Sequence, residues 1–215
     1  MKPTYNGFEA KKASNFIELP PVGAYVAEIL NVEFIDHNDK EKNPFNDPHD
    51  KILLYLDITE GEYKGRFMEV WQSQKERFGE SATYKGIFRL TPYIDGDEDW
   101  RKRSFESNLW CVQESNGKHP DGSYIYTWDW DETKLKGKKV GINLRKRLYN
   151  YTNQNGEVET RDTVEIGKFE TIADVKAGKC RPMKDNDRRQ NKDAAPASTD
   201  GSEFTDVSKA VDVPW

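Results

Sequence analysis

One stretch limits the fold more than any other. Val140, Ile142, Leu144 and Leu148 share one parity, and Asn143, Arg145, Arg147, Tyr149 and Tyr151 share the other. A period of two fits a β-strand, whose successive side chains point to opposite faces, and does not fit a helix. The strand is therefore expected to lay its apolar face on a core and to display arginines and tyrosines on the other. The wider segment from Lys134 to Tyr151 holds Lys134, Lys136, Lys138, Lys139, Arg145, Lys146 and Arg147 and no acidic residue. It does so in a chain whose formal net charge is −5. Cations interleaved with aromatics on one face suit an unpaired nucleic-acid strand, because cations meet phosphates and rings stack on bases. The plain alternative is a solvated surface strand beside an acidic one.

The rest of the chain supplies partners for such a strand. Residues 1–21 read as a polar arm, with Tyr5, Phe8, Phe16 and Ile17 spaced along it and Pro20-Pro21 fixing an extended approach to the first strand. Phe8 and Phe16 suit a strap on the folded body, and Lys11 and Lys12 suit closure over a ligand. Val22 to Phe34 is the first strand, with Gly23 and Ala24 small enough for a bend. Ile52 to Glu60 is the second. Arg66 to Gln72 alternates and is predicted as the third, joined to the second by a tight glycine-flanked turn. Tyr55 and Trp71 are either stacking platforms or ordinary packing residues of these strands. Residues 81–115 then shift to helical spacing, first over Ala82 to Ile94 and again over Ser104 to Glu114. Arg101, Lys102 and Arg103 read mainly as a solvated face. Trp128 and Trp130 fall on one side of an extended segment and suit packing, since their flanking carboxylates repel phosphate. The basic strand follows as the fourth, and Glu157 to Ile166 returns as the fifth, with Arg161 able to join the basic face. Phe169 to Val175 suits a short helical turn.

Residues 181–215 change character. Asp185 to Gly201 lacks large apolar residues, and such a composition cannot form a core. The last residues recover a pattern in Phe204, Asp206, Asp212, Val213, Pro214 and Trp215, which reads as a short acidic-aromatic motif for docking on a partner protein. No apolar run approaches the roughly 18 residues that cross a bilayer. Cys111 and Cys180 stand far apart in no ligand spacing, which suits a reducing compartment. His37, His49 and His119 are isolated, and no phosphate-binding glycine loop is present. The expectation is therefore a protein that is not an enzyme and carries neither metal nor cofactor. The Asp95, Asp97 and Asp99 series is the weak opening for a two-metal nuclease.

Three strands, a helical insert and two further strands match a mainly β fold: a five-stranded Greek-key barrel of the oligonucleotide-binding type, residues 22–180, with the insert at 81–115 between strands three and four. The chain also resembles the single-stranded-DNA-binding proteins of tailed phages, in particular a widespread phage domain family long described as of unknown function. The resemblance covers most of residues 5 to 180. It lies in Gly7-Phe8-Glu9-Ala10-Lys11, Leu19-Pro20-Pro21-Val22-Gly23-Ala24-Tyr25, Asp57-Ile58-Thr59-Glu60-Gly61-Glu62-Tyr63-Lys64-Gly65, Phe105, Glu114-Ser115-Asn116, Trp128-Asp129-Trp130-Asp131 and Leu135-Lys136-Gly137-Lys138. The ending is similar to the acidic tail of bacterial single-strand-binding proteins, with Trp215 in place of their final Phe and fewer acids.

The resemblance implies coating of replication or recombination intermediates in the cytoplasm of an infected bacterium, with replication or recombination proteins recruited by the tail. On the residues, phosphates are expected along Lys138, Lys139, Arg145 and Arg147, with Lys64, Arg66 and Arg161 as further contacts. Bases are expected on Tyr149 and Tyr151, and on Tyr55 or Trp71 if these face outward. A coating protein gains from self-association, so a homo-oligomer is compatible with this role. The competing readings are a loader for a recombinase or helicase that acts through its tail, and a phage structural protein.

Overall fold

The computed structural model describes residues 17–42, 47–153 and 155–189. In chain order the elements are β1 (Gly23–Ile35), β2 (Lys51–Ile58), α1 (Arg66–Phe78), β3 (Ile87–Leu90), α2 (Asp99–Ser115), β4 (Lys139–Thr152), β5 (Val158–Glu170), α3 (Ile172–Lys176) and β6 (Asn186–Asp187). They form one mainly antiparallel sheet with a few helices, in the order β3-β2-β1-β4-β5. β6 adds a short parallel pair to β4 at Arg147 and Leu148. No helix among the described residues is long and apolar enough to cross a membrane.

β1 serves both halves of the sheet. Gly23 to Glu28 pair with β4, and Ala27 to Ile35 pair with β2, with an irregularity between Ile29 and Asn31. The expected bend of the first strand is thus present, but its register shift falls at Leu30 and not at Gly23-Ala24. The sheet is also strongly curled. Laid flat, four strand spacings of about 4.8 Å would separate β3 from β5 by roughly 19 Å. Instead the Phe88 ring of β3 and the Phe169 ring of β5 lie 4.3 Å apart. Among the described residues no ladder joins these two edge strands.

The inner face of β4 is as the alternation predicts: Val140, Ile142 and Leu144 are buried in the core with Ala27, Ile29, Leu54 and Leu56. α2 closes this core with Phe105, Leu109 and Val112. Its Asn108 is buried, and the side-chain oxygen accepts from the Phe169 backbone N–H at 2.9 Å. That bond fastens α2 to the edge of β5. Burial of each such Leu, Ile or Phe contributes about 1.5–3 kcal/mol.

Two predicted elements differ from the structure, and each difference has a local cause. Arg66 to Gln72 is not a third strand but the start of α1. Gly65 takes a left-handed φ of 74°, which turns the chain without steric cost. The buried Asp57 carboxylate then accepts from the Phe67 and Met68 N–H groups at 3.1 and 3.3 Å, satisfying donors of the first helical turn. Phe67 and Val70 are buried three apart, with Met68 and Trp71 packed beside them, so a helical period overrides a short alternation. Conversely, the segment expected to open a helix at Ala82 to Ile94 contains β3. It pairs with β2 from Ile52↔Leu90 to Tyr55↔Ile87. Phe88 and Leu90 are buried on one parity, and Gly86 lets the chain pass so close to β2 that an added Cβ would sit 2.2 Å from the Leu56 carbonyl oxygen.

Other expectations sharpen. α2 matches the helix expected over Ser104 to Glu114 and begins earlier, at Asp99. α3 occupies part of the turn expected after Phe169. The folded part does not end at residue 180: the Asn143 side chain donates to the Arg181 carbonyl at 3.0 Å, and Arg188 N–H donates to the Leu148 carbonyl at 2.8 Å. Phe8, Phe16, Lys11 and Lys12 of the arm, and the tail motif with Phe204, Asp206, Asp212, Val213, Pro214 and Trp215, lie outside the described residues.

Two outcomes follow from this packing. Asp57→Ala should cost about 2 kcal/mol in urea denaturation, through loss of the acceptor at the start of α1. Asp57→Asn should cost less, because an amide oxygen still accepts; equal losses would assign the effect to charge. Cys111 is buried in α2, and burial pushes its thiol up to about 12, whereas Cys180 is half-buried and its thiol is raised less. Iodoacetamide at pH 8 should therefore label Cys180 first in the native protein and Cys111 only after denaturant is added, as read by mass spectrometry.

Candidate nucleic-acid interface

The gap between the two edge strands is a cleft of about 460 Å³. Its floor is apolar, with Leu53, Phe88, Phe105 and Ile166. Its walls are cationic. Lys85 and Arg89 come from β3 and the segment leading to it, Arg101 from α2, Arg145 and Arg147 from β4, Lys168 from β5 and Arg188 from the chain just past β6. Among the described residues, seven cations thus line a space that holds one carboxylate, Glu165, in a chain of net charge −5. Trp100 stands at the same cleft and is 54% exposed, with the Arg101 guanidinium 5.1 Å from its ring.

The local folding explains each position. β1 pairs with β4 only as far as Leu144, so that edge of β4 is taken up by β6 at Arg147 and Leu148. This places Arg188 against the arginines of β4. Glu165 holds the two parts together: one of its oxygens accepts from Arg145 Nε at 2.8 Å and from the Asn186 side chain at 2.7 Å. Gly167 sits at the register shift between β4 and β5, where a Cβ would press on Met183 and on the stem of Arg145. A side chain there would displace the arginine from the cleft wall.

Burial acts first on the guanidinium groups of this cleft, and neighbouring charges act after it. Burial, and after it the charge of Arg188, pushes the Arg89 guanidinium below its ordinary value, against the pull of Asp47. Partial desolvation pushes Arg188 down as well; Glu165 opposes this, and Arg147 and Arg145 add to it. An anion placed among these groups would add attractions that offset those repulsions.

Beyond Arg147 the β4–β5 hairpin carries the expected aromatic face. Tyr149 pairs with Arg161, and Tyr151 with Glu159. The Arg161 guanidinium lies 3.6 Å from the Tyr151 ring centre, and Arg147 lies 5.9 Å from that of Tyr149. Arg145, Arg147, Tyr149, Tyr151 and Arg161 therefore form a continuous band from the cleft onto the hairpin.

The structure does not bring the other expected contacts to this band. Tyr55 is 1% exposed, packs against Tyr84 and donates its hydroxyl to Glu33 at 2.9 Å, so it is a core residue and no stacking platform. β2 is buried on both faces, so Tyr55 has no outward side. Trp71 is on α1, half-buried against Tyr84 with Lys75 over its ring. Lys64 precedes α1, and Arg66 there contacts Glu69 and the Tyr63 ring. Lys138 and Lys139 mark the opposite end of β4; the Lys138 ammonium sits over Tyr126, and Lys139 backbone groups bond with Asn116. None of these residues lines the cleft. Trp128 packs against the core as expected, whereas Trp130 is exposed while stacked on Phe105.

Sequence reasoning missed Lys85, Arg89, Arg101, Lys168, Arg188 and Trp100 as a group. The Arg101-Lys102-Arg103 run was the one available signal, and only Arg101 of the three lines the cleft. His49 ties two loops together. It is buried, and its two ring nitrogens face Asp47 at 2.8 Å and Asp97 at 2.9 Å, tying the loop before β2 to the loop before α2. Asp36, His37 and Asp50 each bring one atom within 4.8 Å of the others in an exposed turn, where the His37 ring contacts Asp50 at 2.8 Å. No known protein-family model matches the chain, and no curated protein matches it.

Proposed function

We propose that this protein binds single-stranded DNA without sequence preference and protects it during phage replication or recombination. The observation that carries the reading is the seven-cation cleft continuous with the Tyr149–Tyr151 face, in an otherwise acidic chain. Phosphates lie against Arg145, Arg147 and the cleft cations, and bases stack on Tyr149, Tyr151 and Trp100. Stacking contributes about 1–3 kcal/mol per base and accepts any base, while counterion release supplies the remainder. The acidic surface elsewhere limits non-specific adhesion.

The strand order supports an oligonucleotide-binding barrel. Three strands ordered β3-β2-β1 continue into β4 and β5, and α2 falls between β3 and β4. On this reading the seam between β3 and β5 is where such a barrel closes. The resemblance to phage single-stranded-DNA-binding proteins points the same way, and it carries the setting: the cytoplasm of an infected bacterium. The protein acts by binding, with no chemical step. The tail motif from Phe204 to Trp215 recruits replication or recombination proteins, and coating favours association between copies.

Titration with oligo-dT, followed by tryptophan fluorescence, tests the reading. Quenching is expected, reversed by salt, with a log–log salt slope of about −0.7 for each phosphate neutralised. The Arg145→Glu/Arg147→Glu protein should bind at least about tenfold more weakly and with a flatter slope. Equal binding by the two proteins would remove these arginines from the interface. Deletion of Phe204 to Trp215 should preserve or strengthen oligo-dT binding and abolish capture of a replication partner. Loss of DNA binding in that truncation would contradict the role given to the tail.

A further inference from the structure

Trp130 is held in a way that packing by itself does not require. Among the described residues it is the one non-glycine residue with a left-handed backbone, at φ 68°. That region is unfavourable for a bulky side chain and persists only where the surroundings impose it. Yet the ring so placed is 62% exposed. It stacks on Phe105, with ring centres 6.0 Å apart and planes 21° apart. It meets Tyr93 and Trp128 at 6.4 and 5.9 Å, with planes 67° and 60° apart. Three rings therefore fix its orientation, while the face turned away from Phe105 is left to solvent. Packing gains from an aromatic residue by taking its surface out of water, and here most of that surface stays wet.

The surroundings suit a base and its phosphate. Phe105, the ring on which Trp130 lies, also lines the cationic cleft, so the two sites adjoin. The Lys102 ammonium, on α2, lies 5.4 Å from the Tyr93 ring centre and reaches Glu106 only at 4.0 Å, on a surface open to water. The carboxylates flanking Trp130 are already engaged. Lys134 contacts both Asp129 and Asp131, and Asp131 also accepts from the Thr133 backbone N–H at 3.2 Å. Their repulsion of phosphate is thereby partly neutralised.

We propose that Trp130 is a stacking platform for a nucleobase of the bound strand, with Lys102 meeting an adjacent phosphate. This rests on the single-strand reading and extends its path, from Tyr151 and Tyr149 on the hairpin, through the cleft, to the aromatic cluster beside α2. One flat face beside a cation fits a base, which stacks on any exposed ring. The side chains of a partner protein need a pocket that buries them, and a single face does not provide one. The left-handed backbone and the three supporting rings hold the platform in place before the strand arrives, so little freedom is lost on binding.

The test uses the full chain and its Trp130→Leu, Trp130→Phe and Lys102→Ala variants. Leu keeps an apolar cover on Phe105 but has no aromatic face, whereas Phe keeps both. Binding is read as the anisotropy of labelled oligo-dT and of a labelled abasic strand of equal length, which has the phosphates without the bases. Trp130→Leu should bind oligo-dT about tenfold more weakly, with an unchanged salt slope, and should bind the abasic strand as the wild type does. Trp130→Phe should recover most of the affinity. Lys102→Ala should weaken binding of both strands and flatten the salt slope by about 0.7.

Equal oligo-dT binding by Trp130→Leu and the wild type would overturn the platform; the single-strand reading would stand if Arg145→Glu/Arg147→Glu still weakened binding. Equal weakening of oligo-dT and the abasic strand in Trp130→Leu would make the ring a packing residue, whatever the melting temperature, and would also overturn it. Failure of the wild type to bind oligo-dT at low salt would overturn the single-strand reading and the platform with it.

Discussion

Everything in this structure depends on how β4 is shared. Its first half is held between β1 and β5 and supplies Val140, Ile142 and Leu144 to the core. Its second half has lost β1, because β1 pairs no farther than Leu144. One strand therefore anchors the fold at one end and presents Arg145, Arg147, Tyr149 and Tyr151 at the other. A rigid, core-backed strand positions a binding face better than a loop, since its side-chain directions are fixed by the ladder. β6 then occupies the edge that β1 leaves, which is how Arg188 reaches a site built mostly from residues far earlier in the chain.

A second constraint sits at the end of β2. Asp57 is buried, and its carboxylate accepts from Ile58, Phe67 and Met68 backbone N–H groups. Burial pushes this carboxyl above its ordinary range, and those three donors oppose the push. The Asp57-to-Gly65 segment is thus a device for turning a strand into a helix. Gly65 supplies the left-handed turn, and Asp57 satisfies the donors that the turn exposes. That motif speaks to folding.

Several of the cleft cations are held by carboxylates at its rim: Arg145 by Glu165, Arg101 by Asp97 and Lys168 by Glu170. Net negative charge on the remainder of the chain makes the local positive field more selective, because it opposes adhesion of polyanions elsewhere. In the proposed role that selectivity confines phosphate to the band running from the cleft to the hairpin.

What the sequence determined by itself was whatever depends on neighbours in the chain. Strict alternation over Val140, Ile142 and Leu144 specified a strand and its inward face, since a period of two has one backbone solution. The spacing of Phe105, Leu109 and Val112 likewise specified a helix. Short segments with mixed patterns were decided elsewhere. Arg66 to Gln72 became helical because Asp57, at the end of the preceding strand, caps its first turn, and Ile87–Leu90 became a strand because β2 offered an edge with room at Gly86. Tyr55 was withdrawn from the surface because its strand is covered on both faces. Arg145, Arg147, Tyr149, Tyr151 and Arg161 were legible as one face. Lys85, Arg89, Arg101, Lys168 and Arg188 were not, because each alone is an ordinary surface charge. Only the curl of the sheet and the return of the chain along β4 bring them to one cleft, and electrostatic fields add in space, irrespective of order along the chain.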